Sequence, residues 1–482
     1  MAKAPSITLF GAAGEVTGSC TLIETELSLV VVDFGMIQGT DEEEQRNRTP
    51  PKIDWPNVHA VVLTHGHIDH CGRLPMLAQL GFTGSIWMTP ATADLLPRIL
   101  RGSASLQQVR RHEWRQGTAP IARAIFEGEP LHLPKVDQPE PPVLFVNSHV
   151  TSTIARVRQL RFDEPQEIAP DITLRFLNAG HVLGAASAEL TCGFGIEECV
   201  VLCSGDLGPR RNELHEPAAS PRRADIVIVE STNGAGGRHA PRDAEAQLEA
   251  ILAEAGPRDE RVLIPTFAIG RAQQLMLRLA HLARRQALGG LQVYVDSAMA
   301  ARVADRFDHH REYLSPVVSE LFARGESPFE FPALHRLTTR NQSLALTESR
   351  RGGVILAGAG FCDAGPILHH LLAGLDREDC RVVLAGYHPA GSIGDGLRRG
   401  ARLVEINGKI IEVKARVSEV DGLSGHGGRE DILAWLGGIE ERPTRVLLNH
   451  GTEASRLALE HAIVEQLGLS CARPLPGETQ RV

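Results

Sequence analysis

The chain of 482 residues is longer than a single hydrophobic core usually supports, so its length predicts two domains. No apolar run is long enough to cross a membrane, and residues 1–6 lack the layout of a secretory signal, so we expect a cytoplasmic protein. The net charge of −9 excludes a general nucleic-acid coat protein, and any polyanion would have to bind locally. The eight cysteines lack CxxC spacing, which indicates reduced thiols.

Short β-branched runs predict strands, and several of them end in a polar residue that could take part in chemistry. These runs are residues 29–32 before Asp33, 60–64 before His65, 200–204 before Asp206, 226–229 before Glu230, and 446–449 before His450. Helical patterns such as residues 244–255 and 272–285 alternate with such runs. The alternation predicts a layered α/β fold in which the strand ends meet at one rim.

The first group of candidate metal ligands is the loop of residues 65–70, in which His65, His67, Asp69 and His70 follow a predicted strand. Imidazole nitrogens and carboxylate oxygens suit Zn²⁺. The HxHxDH spacing lets one loop direct some side chains at one ion and the rest at a second. The loop therefore predicts a site for divalent metal.

Two later residues, His181 and Asp206, extend the candidate site. His181 lies between Gly180 and the Val182-Leu183-Gly184 turn, and Asp206 follows a predicted strand. Alone, His181 would be a structural histidine and Asp206 an Asx-turn or helix cap, and the 65–70 loop favours a ligand role for both. Two metal ions about 3.5–4 Å apart stabilise both oxygens of an in-line displacement and supply hydroxide at neutral pH. That chemistry suits phosphodiesters, and equally esters, thioesters and lactams.

The long interval between Asp206 and the last candidate ligand, His450, predicts a second domain inserted into the first. The interval has its own predicted strands at residues 261–264, 291–295, 354–356 and 382–384. We expect a first domain made of residues 1–234 and 422–482, and an inserted domain of residues 235–421. The proline-rich segment 130–142 is expected to be a surface loop of the first domain.

The motifs resemble those of a known superfamily. Asp33, the 65–70 loop, His181 and Asp206 fall in the order and strand context of the first four motifs of the metallo-β-lactamase superfamily. Later segments resemble motifs A, B and C of its β-CASP group of nucleic-acid hydrolases, which includes bacterial ribonucleases and the endonuclease subunit of the eukaryotic cleavage and polyadenylation factor. These segments are Glu230-Ser231-Thr232, Leu423-Ser424-Gly425-His426 and Leu447-Leu448-Asn449-His450-Gly451.

The resemblance implies an α/β fold, namely a four-layer αββα metallo-β-lactamase domain with an inserted α/β β-CASP domain. It also implies two zinc ions per chain. By this resemblance one ion would be held by His65, His67 and His181, and the other by Asp69, His70 and His450. Asp206 would bridge the two ions, and Asp33 would orient the ligand loop without binding metal.

The resemblance also assigns the catalytic residues, which would be Asp69, Glu230 and His426. A metal-bound hydroxide would attack, and His426 would act as the general acid that protonates the leaving oxygen. Glu230 would hold the His426 imidazole and raise its pKa. A ribose 3′-oxygen leaves poorly as an alkoxide, so a positioned imidazolium is a natural proton donor. Without the resemblance, His426 would be interpreted as an exposed loop histidine and Glu230 as a charge at a helix N-terminus.

Substrate contacts are expected from Gly391 and Ser392, in a glycine-rich loop of residues 387–394 that could cradle phosphate, and from Ser424. An ordinary turn is an equally good interpretation of that loop. The pairs His309-His310 and His369-His370 are interpreted as structural or solvated, because helical neighbours face different directions.

The chain departs from the β-CASP pattern at several positions. Asn233 replaces the usual tyrosine and precedes a glycine-rich stretch, residues 234–238, while Pro366 stands where an arginine is usual. Gly427 and Gly428 follow His426 where a small residue and an acid are common. These changes spare every predicted ligand, so we expect intact metal binding and altered substrate handling.

The sequence therefore predicts a dinuclear zinc phosphodiesterase that cuts single-stranded RNA in a cleft between the two domains. One alternative is a hydrolase of a small ester or thioester, with the inserted domain as a lid. Another is a catalytically weak partner that scaffolds an RNA-processing assembly. A diiron enzyme is disfavoured, because such enzymes resemble HxExDH and this loop has His67. The mode of cleavage, the acceptance of DNA and the number of chains, for which a homodimer is one option, stay open.

Overall fold

A computed structural model describes residues 5–39, 41–116, 122–126, 140–195, 198–236, 244–349, 351–386, 388–389 and 391–481. Three predicted features fall partly outside these ranges. They are the proline-rich segment (residues 130–139), the glycine-rich stretch after Asn233 (residues 237–238), and Tyr387 and Ala390 of the glycine-rich loop.

The strands of the described residues are short, and most are buried. In chain order they are β1 (Ser6–Gly11), β2 (Ala13–Gly14), β3 (Cys20–Glu24), β4 (Leu29–Val32), β5 (Ala60–Val62), β6 (Ser85–Met88), β7 (Ala122–Ile125), β8 (Val157–Gln159), β9 (Pro165–Ala169), β10 (Ile172–Asn178), β11 (Ala186–Cys192), β12 (Cys199–Cys203), β13 (Ile226–Glu230), β14 (Arg261–Pro265), β15 (Val293–Asp296), β16 (Leu334–Arg336), β17 (Gly353–Ala357), β18 (Cys380–Leu384), β19 (Leu403–Ile406), β20 (Lys409–Glu412), β21 (Arg416–Glu419), β22 (Arg445–Asn449), β23 (Gly451–Thr452), β24 (Cys471–Ala472) and β25 (Thr479–Arg481).

The helices lie mostly between strands, as the alternating pattern predicts. They are α1 (Asp41–Gln45), α2 (Ile68–Cys71), α3 (Pro90–Arg115), α4 (Asn147–Ile154), α5 (Ala244–Ala255), α6 (Arg271–Arg284), α7 (Ala298–Ala304), α8 (Pro316–Ala323), α9 (Arg340–Ser349), α10 (Pro366–Gly374), α11 (Ile393–Arg398), α12 (Arg429–Gly437) and α13 (Glu453–Ala462). None of the helices in the described ranges is both long and apolar enough to cross a bilayer.

The first lobe consists of two seven-stranded sheets packed face to face between helices. One sheet has the order β25-β1-β3-β4-β5-β6-β8, and the other has the order β24-β22-β13-β12-β11-β10-β9. Side chains alternate along each strand. Val30 and Val62 point into the core between the sheets, whereas Val31 and Val61 pack in the cluster that contains the buried face of α3. The second sheet is covered in the same way by α12 and α13. This is the predicted αββα arrangement.

The second lobe is a six-stranded parallel sheet with the order β16-β15-β17-β14-β18-β21, placed in the chain between β13 and β22. Its four central strands are largely buried on both faces, as is usual in parallel sheets, whereas the edge strands β16 and β21 are not. Val262 and Ile264 of β14 pack with α5 and α6, whereas Leu263 packs with α10. The fold class, a metallo-β-lactamase-type lobe with an inserted α/β lobe, is confirmed. The residue bounds of the two domains stay predictions.

The two lobes contact each other near residues 213–215 and 313–315. Ser315 donates from its backbone nitrogen to the Leu214 carbonyl oxygen, at 2.9 Å, and from its Oγ to the Glu213 carbonyl oxygen, at 2.6 Å. His215 is buried there, and its Nδ1 donates to the Tyr313 carbonyl oxygen at 3.3 Å. Burial lowers the pKa of His215 to about 4. The folded protein therefore holds this imidazole neutral at the contact between the lobes.

The stability of this contact should depend on pH. Because the unfolded chain protonates His215 near its ordinary pKa and the folded chain does so only near 4, stability falls as the pH drops below about 6.5. Between pH 7 and pH 5 we expect the wild type to lose about 2 kcal/mol more unfolding free energy than His215→Gln. Urea unfolding of both proteins at the two pH values measures the difference. Equal losses of unfolding free energy in the two proteins would show that His215 does not cause the pH dependence.

Candidate metal centre

The predicted ligands lie at strand ends that meet on one rim of the first lobe. β4 and β5 run parallel, as do β12, β13 and β22, so the residues that follow them emerge on the same side. Sharp backbone turns redirect the chain there. Asp33 and His450 adopt left-handed conformations (φ 61° and 50°), and Gly205 does so just before Asp206. A Cβ on Gly205 would lie 2.9 Å from the Ala186 carbonyl oxygen, so only glycine fits.

Four side chains form the first group. The candidate ligand atoms of His65, His67, His181 and Asp206 all lie within 4.8 Å of one another. His67 Nδ1 is 3.2 Å from His181 Nε2. Asp206 Oδ2 is 3.4 Å from His65 Nε2 and 3.6 Å from His181 Nε2. The loop and the distant His181 therefore converge on one carboxylate oxygen.

A second group lies on the other side of Asp206. The candidate ligand atoms of Asp69, His70 and His450 also lie within 4.8 Å of one another. His450 Nε2 is 3.1 Å from His70 Nε2 and 3.3 Å from Asp69 Oδ2. The second oxygen of Asp206, Oδ1, is 3.2 Å from His70 Nε2. Asp206 thus directs one oxygen at each group.

The polar atoms of both groups fit divalent cations. The Nδ1 atom of His181 donates to the Gly425 carbonyl oxygen at 2.7 Å, so its Nε2 carries a lone pair that faces His67. Burial lowers the pKa of both His65 and His181 well below its usual value, which keeps these rings neutral. His65 Nε2 and Asp206 Oδ1 are buried without a hydrogen-bond partner among the described residues. Buried lone pairs that face one another fit a shared cation.

Neighbouring groups fix the orientation of the imidazole rings. Asp33 Oδ2 accepts from His70 Nδ1 at 2.7 Å, and Asp33 Oδ1 accepts from the backbone nitrogen of Thr64 at 2.9 Å. His450 Nδ1 donates to Thr232 Oγ1 at 3.0 Å, and Thr64 Oγ1 lies 3.1 Å from His65 Nδ1. These bonds leave the other ring nitrogens free to face the centre. Neither threonine was assigned an orienting role from the sequence, although Thr232 belongs to the motif A segment and Thr64 directly precedes His65.

His426 and Glu230 lie at the edge of the same centre. His426 Nδ1 is 3.0 Å and 3.1 Å from the two Glu230 oxygens, and His426 Nε2 is 3.8 Å from Asp206 Oδ2. The Glu230 carboxylate is fully buried and also accepts from the Leu207 backbone nitrogen at 2.6 Å. Burial lowers the pKa of His426, but the carboxylates of Glu230 and Asp206 outweigh it and raise the pKa to about 9. The ring is thus held as a partly exposed imidazolium.

The unusual Asn233 supports the loop that carries His426. Its amide nitrogen lies 3.2 Å from Ser424 Oγ and 3.3 Å from the carbonyl oxygens of His426 and Gly427. Ser424 Oγ in turn accepts from the His426 backbone nitrogen at 3.1 Å. Ser424 therefore stabilises the loop, and its contact with substrate stays a prediction.

The structure brings Gly391 and Ser392 to the N-terminus of α11 in the second lobe. Ser392 Oγ accepts from the Asp395 backbone nitrogen at 3.2 Å and donates to the Pro389 carbonyl oxygen at 2.8 Å. These bonds are those of a helix cap. Pro366, in place of the usual arginine, lies at the first turn of α10, a position that suits proline. The predicted phosphate contacts of this loop stay predictions.

Two of the histidines interpreted as structural are paired with carboxylates of their surroundings. His370 is fully buried and donates from Nε2 to Asp296 Oδ2 at 2.7 Å, whereas His310 Nε2 lies 3.3 Å from Asp94 Oδ2. Both pairs lie outside the metal groups found among the described residues. The structural interpretation fits these contacts.

Comparisons with known proteins agree with this geometry. Residues 13–266 match the metallo-beta-lactamase superfamily, residues 272–397 match the Beta-Casp domain, and residues 410–474 match a Zn-dependent metallo-hydrolase RNA specificity domain. A ribonuclease of Thermus thermophilus is 33% identical, over 93% of this chain and 94% of that protein. The chain belongs to the metallo-β-lactamase superfamily. Within it, the chain is a β-CASP ribonuclease and a metal-dependent nuclease.

Relatives of lower sequence identity also align with almost the whole chain. The transcription termination factors FttA of Methanosarcina mazei and Thermococcus kodakarensis are each 28% identical, over 99% and 97% of this chain. The chain covers 71% and 70% of their lengths. A crystal structure of a protein of unknown function from Enterococcus faecalis has a TM-score of 0.51 at 13% identity, over 99% of this chain and 100% of that one. That likeness concerns the fold alone.

The Asp33 carboxylate should affect metal affinity without contacting metal. In Asp33→Asn an amide would face His70 Nδ1 and disturb the tautomer that leaves Nε2 free, so we expect zinc affinity to fall about 10- to 100-fold. Competition with a chromophoric chelator measures the affinity. Asp171→Asn is the matched control, because Asp171 is a buried carboxylate beside the opposite end of β10 from His181. Equal affinities in both variants would contradict the orienting role of Asp33.

Proposed function

We propose that this protein is a dinuclear zinc hydrolase that cleaves phosphodiester bonds of single-stranded RNA between its two lobes. The observation that carries the proposal is the position of His426. Its imidazole lies 3.8 Å from the carboxylate shared by the two ligand groups and is held by a buried glutamate. Hydrolysis of good leaving groups needs no such proton donor, whereas expulsion of a ribose oxygen does.

The proposal assigns the ligands as two sets joined by Asp206. His65, His67 and His181 would hold one ion, and Asp69, His70 and His450 would hold the other. When bound, a pair of zinc ions supplies hydroxide at neutral pH and stabilises negative charge on the reacting phosphate. The mixture of imidazole and carboxylate donors supports zinc as the metal.

The chain itself would supply the proton for the leaving group. His426 Nε2 faces Asp206 and the centre, while Glu230 holds Nδ1. Glu230 keeps the ring protonated and fixes its direction, so a proton is available at Nε2 when the 3′-oxygen departs. The Asn233 and Ser424 contacts hold the backbone on which His426 is carried.

RNA is the proposed substrate because of the names of relatives and the architecture of the chain. A relative that covers nearly the whole chain is a ribonuclease, and two others are transcription termination factors. A cleft between two lobes favours an unpaired strand over a duplex. The cytoplasmic location and a homodimeric assembly are further parts of the proposal.

The assignment of the metal ligands predicts both the zinc content of the protein and its activity. The purified protein should contain close to two zinc ions per chain, and His67→Ala should abolish cleavage of a labelled single-stranded RNA, because His67 would be one of three imidazoles on its ion. Metal analysis and product gels measure the two quantities. His461→Ala, an exposed histidine of α13, is the control and should keep both. Unchanged turnover in His67→Ala would contradict the assignment.

The role of His426 predicts a dependence on the leaving group. His426→Ala should slow RNA cleavage about 10²- to 10⁴-fold and leave the zinc content unchanged. Hydrolysis of bis(p-nitrophenyl) phosphate should be much less affected, because p-nitrophenolate leaves without a proton. Turnover of both substrates by wild type and variant tests this. Loss of zinc, or an equal loss with both substrates, would show that His426 is not the general acid.

A further inference from the structure

One loop of the second lobe carries an exposed aromatic ring close in sequence to a contact with the metal-bearing lobe. The loop joins β14 to α6 and contains Phe267 and Gly270. Gly270 packs directly against the first lobe, since a Cβ there would lie 2.9 Å from Cγ1 of Val182. Val182 is the chain neighbour of the candidate ligand His181. Phe267 therefore lies three residues from a contact with the metal-bearing lobe.

The exposure of Phe267 has no explanation in the packing of the lobe. Its side chain is 38% exposed, and among the phenylalanines that the structure describes only it and Phe194 are exposed. Phe194 lies in the turn between β11 and β12, at the end of β11 away from the metal centre. A large apolar ring left in water near the contact between the two lobes is available to a ligand.

The Phe267 ring is nevertheless held in one orientation. A Cβ on Gly360 would meet three of its ring carbons at 2.8–2.9 Å, so the ring lies against the bare backbone of Gly360. Phe361 supports it edge-on, with ring centroids 4.8 Å apart and an interplanar angle of 85°. Both supports come from the loop after β17, which neighbours β14 in the sheet. A rigid aromatic ring loses little conformational entropy when a base stacks on it.

The same loop leads into a cation that lacks a carboxylate partner. Arg271, the first residue of α6, packs its guanidinium against Gly386 and makes no ion pair within the described part of the chain. Arg98, Arg110 and Arg111 of α3 differ, since they pair with Asp94, Glu44 and Glu140. An exposed aromatic ring and a positive charge without a carboxylate partner are both suited to a nucleic-acid strand, which has bases and phosphates.

We propose that Phe267, supported by Gly360 and Phe361, stacks on one nucleobase of the substrate strand, and that Arg271, four residues further along the chain, adds positive charge for the backbone. This inference rests on the proposed function and adds a subsite to it. Because every base has a π face, the subsite should accept any of the four bases. It distinguishes a nucleic-acid strand from a phosphodiester that lacks bases.

The first test compares variants on a single-stranded oligoribonucleotide. Phe267→Ala should lower kcat/KM about 5- to 150-fold, the usual effect of losing one stacked base, mainly through KM. Phe267→Tyr keeps a ring and should stay close to wild type, whereas Phe267→Leu keeps only apolar bulk and should lose nearly as much as Phe267→Ala. Phe194→Ala removes the other exposed phenylalanine of the described residues and should have no effect. Unchanged kcat/KM in both Phe267→Ala and Phe267→Leu would overturn the proposal.

The second test removes the base instead of the ring. Abasic residues are placed one at a time along the oligonucleotide. In the wild type, one position should lose activity to a similar extent as Phe267→Ala, and at that position the abasic residue should cost Phe267→Ala nothing further. Additive losses at every position would overturn the stacking subsite. A wild-type protein that cleaves no single-stranded RNA would instead contradict the proposed function, and the inference with it.

Discussion

The arrangement of the candidate metal centre depends on one buried carboxylate, that of Asp206. Asp206 is 1% exposed, and the imidazoles of His65, His70, His181, His426 and His450 lie 3.2–3.8 Å from its oxygens. Taking a carboxylate out of water costs several kcal/mol unless positive charge compensates it. The neutral rings of His65 and His181 cannot supply that charge, and the His426 imidazolium lies 3.8 Å away and is shared with Glu230. Cations between the rings would supply it, and the geometry of the rim fits that role.

The fold meets this need by placing strand ends together. Asp206 follows β12 and Glu230 ends β13, and these are neighbouring parallel strands of one sheet, while Asp33 and the His65 loop follow neighbouring strands of the other. His450 closes the site from β22, which pairs with β13 although the whole second lobe separates them in sequence. The second lobe therefore enters the chain beside the site, where it can cover the centre without disturbing either sheet.

The sequence predicted the parts of the site that depend on local pattern. The buried runs before Asp33, His65 and His450 could be recognised as strands because they are short and β-branched, and the 65–70 loop because its ligands are adjacent. The orienting roles of Thr64 and Thr232 could not be predicted, since threonine has many uses and its partner is known only from the fold. Asn233 was noticed as a departure, but its support of the His426 loop depends on a contact across nearly 200 positions. Nothing in the sequence marked Phe267 as a candidate, because the exposure of a side chain is known only once the lobe has packed.

The central claim is that two ions share Asp206, and anomalous diffraction from crystals of the zinc-loaded protein tests it most directly. Data recorded on both sides of the zinc absorption edge should show two peaks about 3.5–4 Å apart, one among His65, His67 and His181 and one among Asp69, His70 and His450. A single peak, or a second peak remote from His450, would contradict the claim.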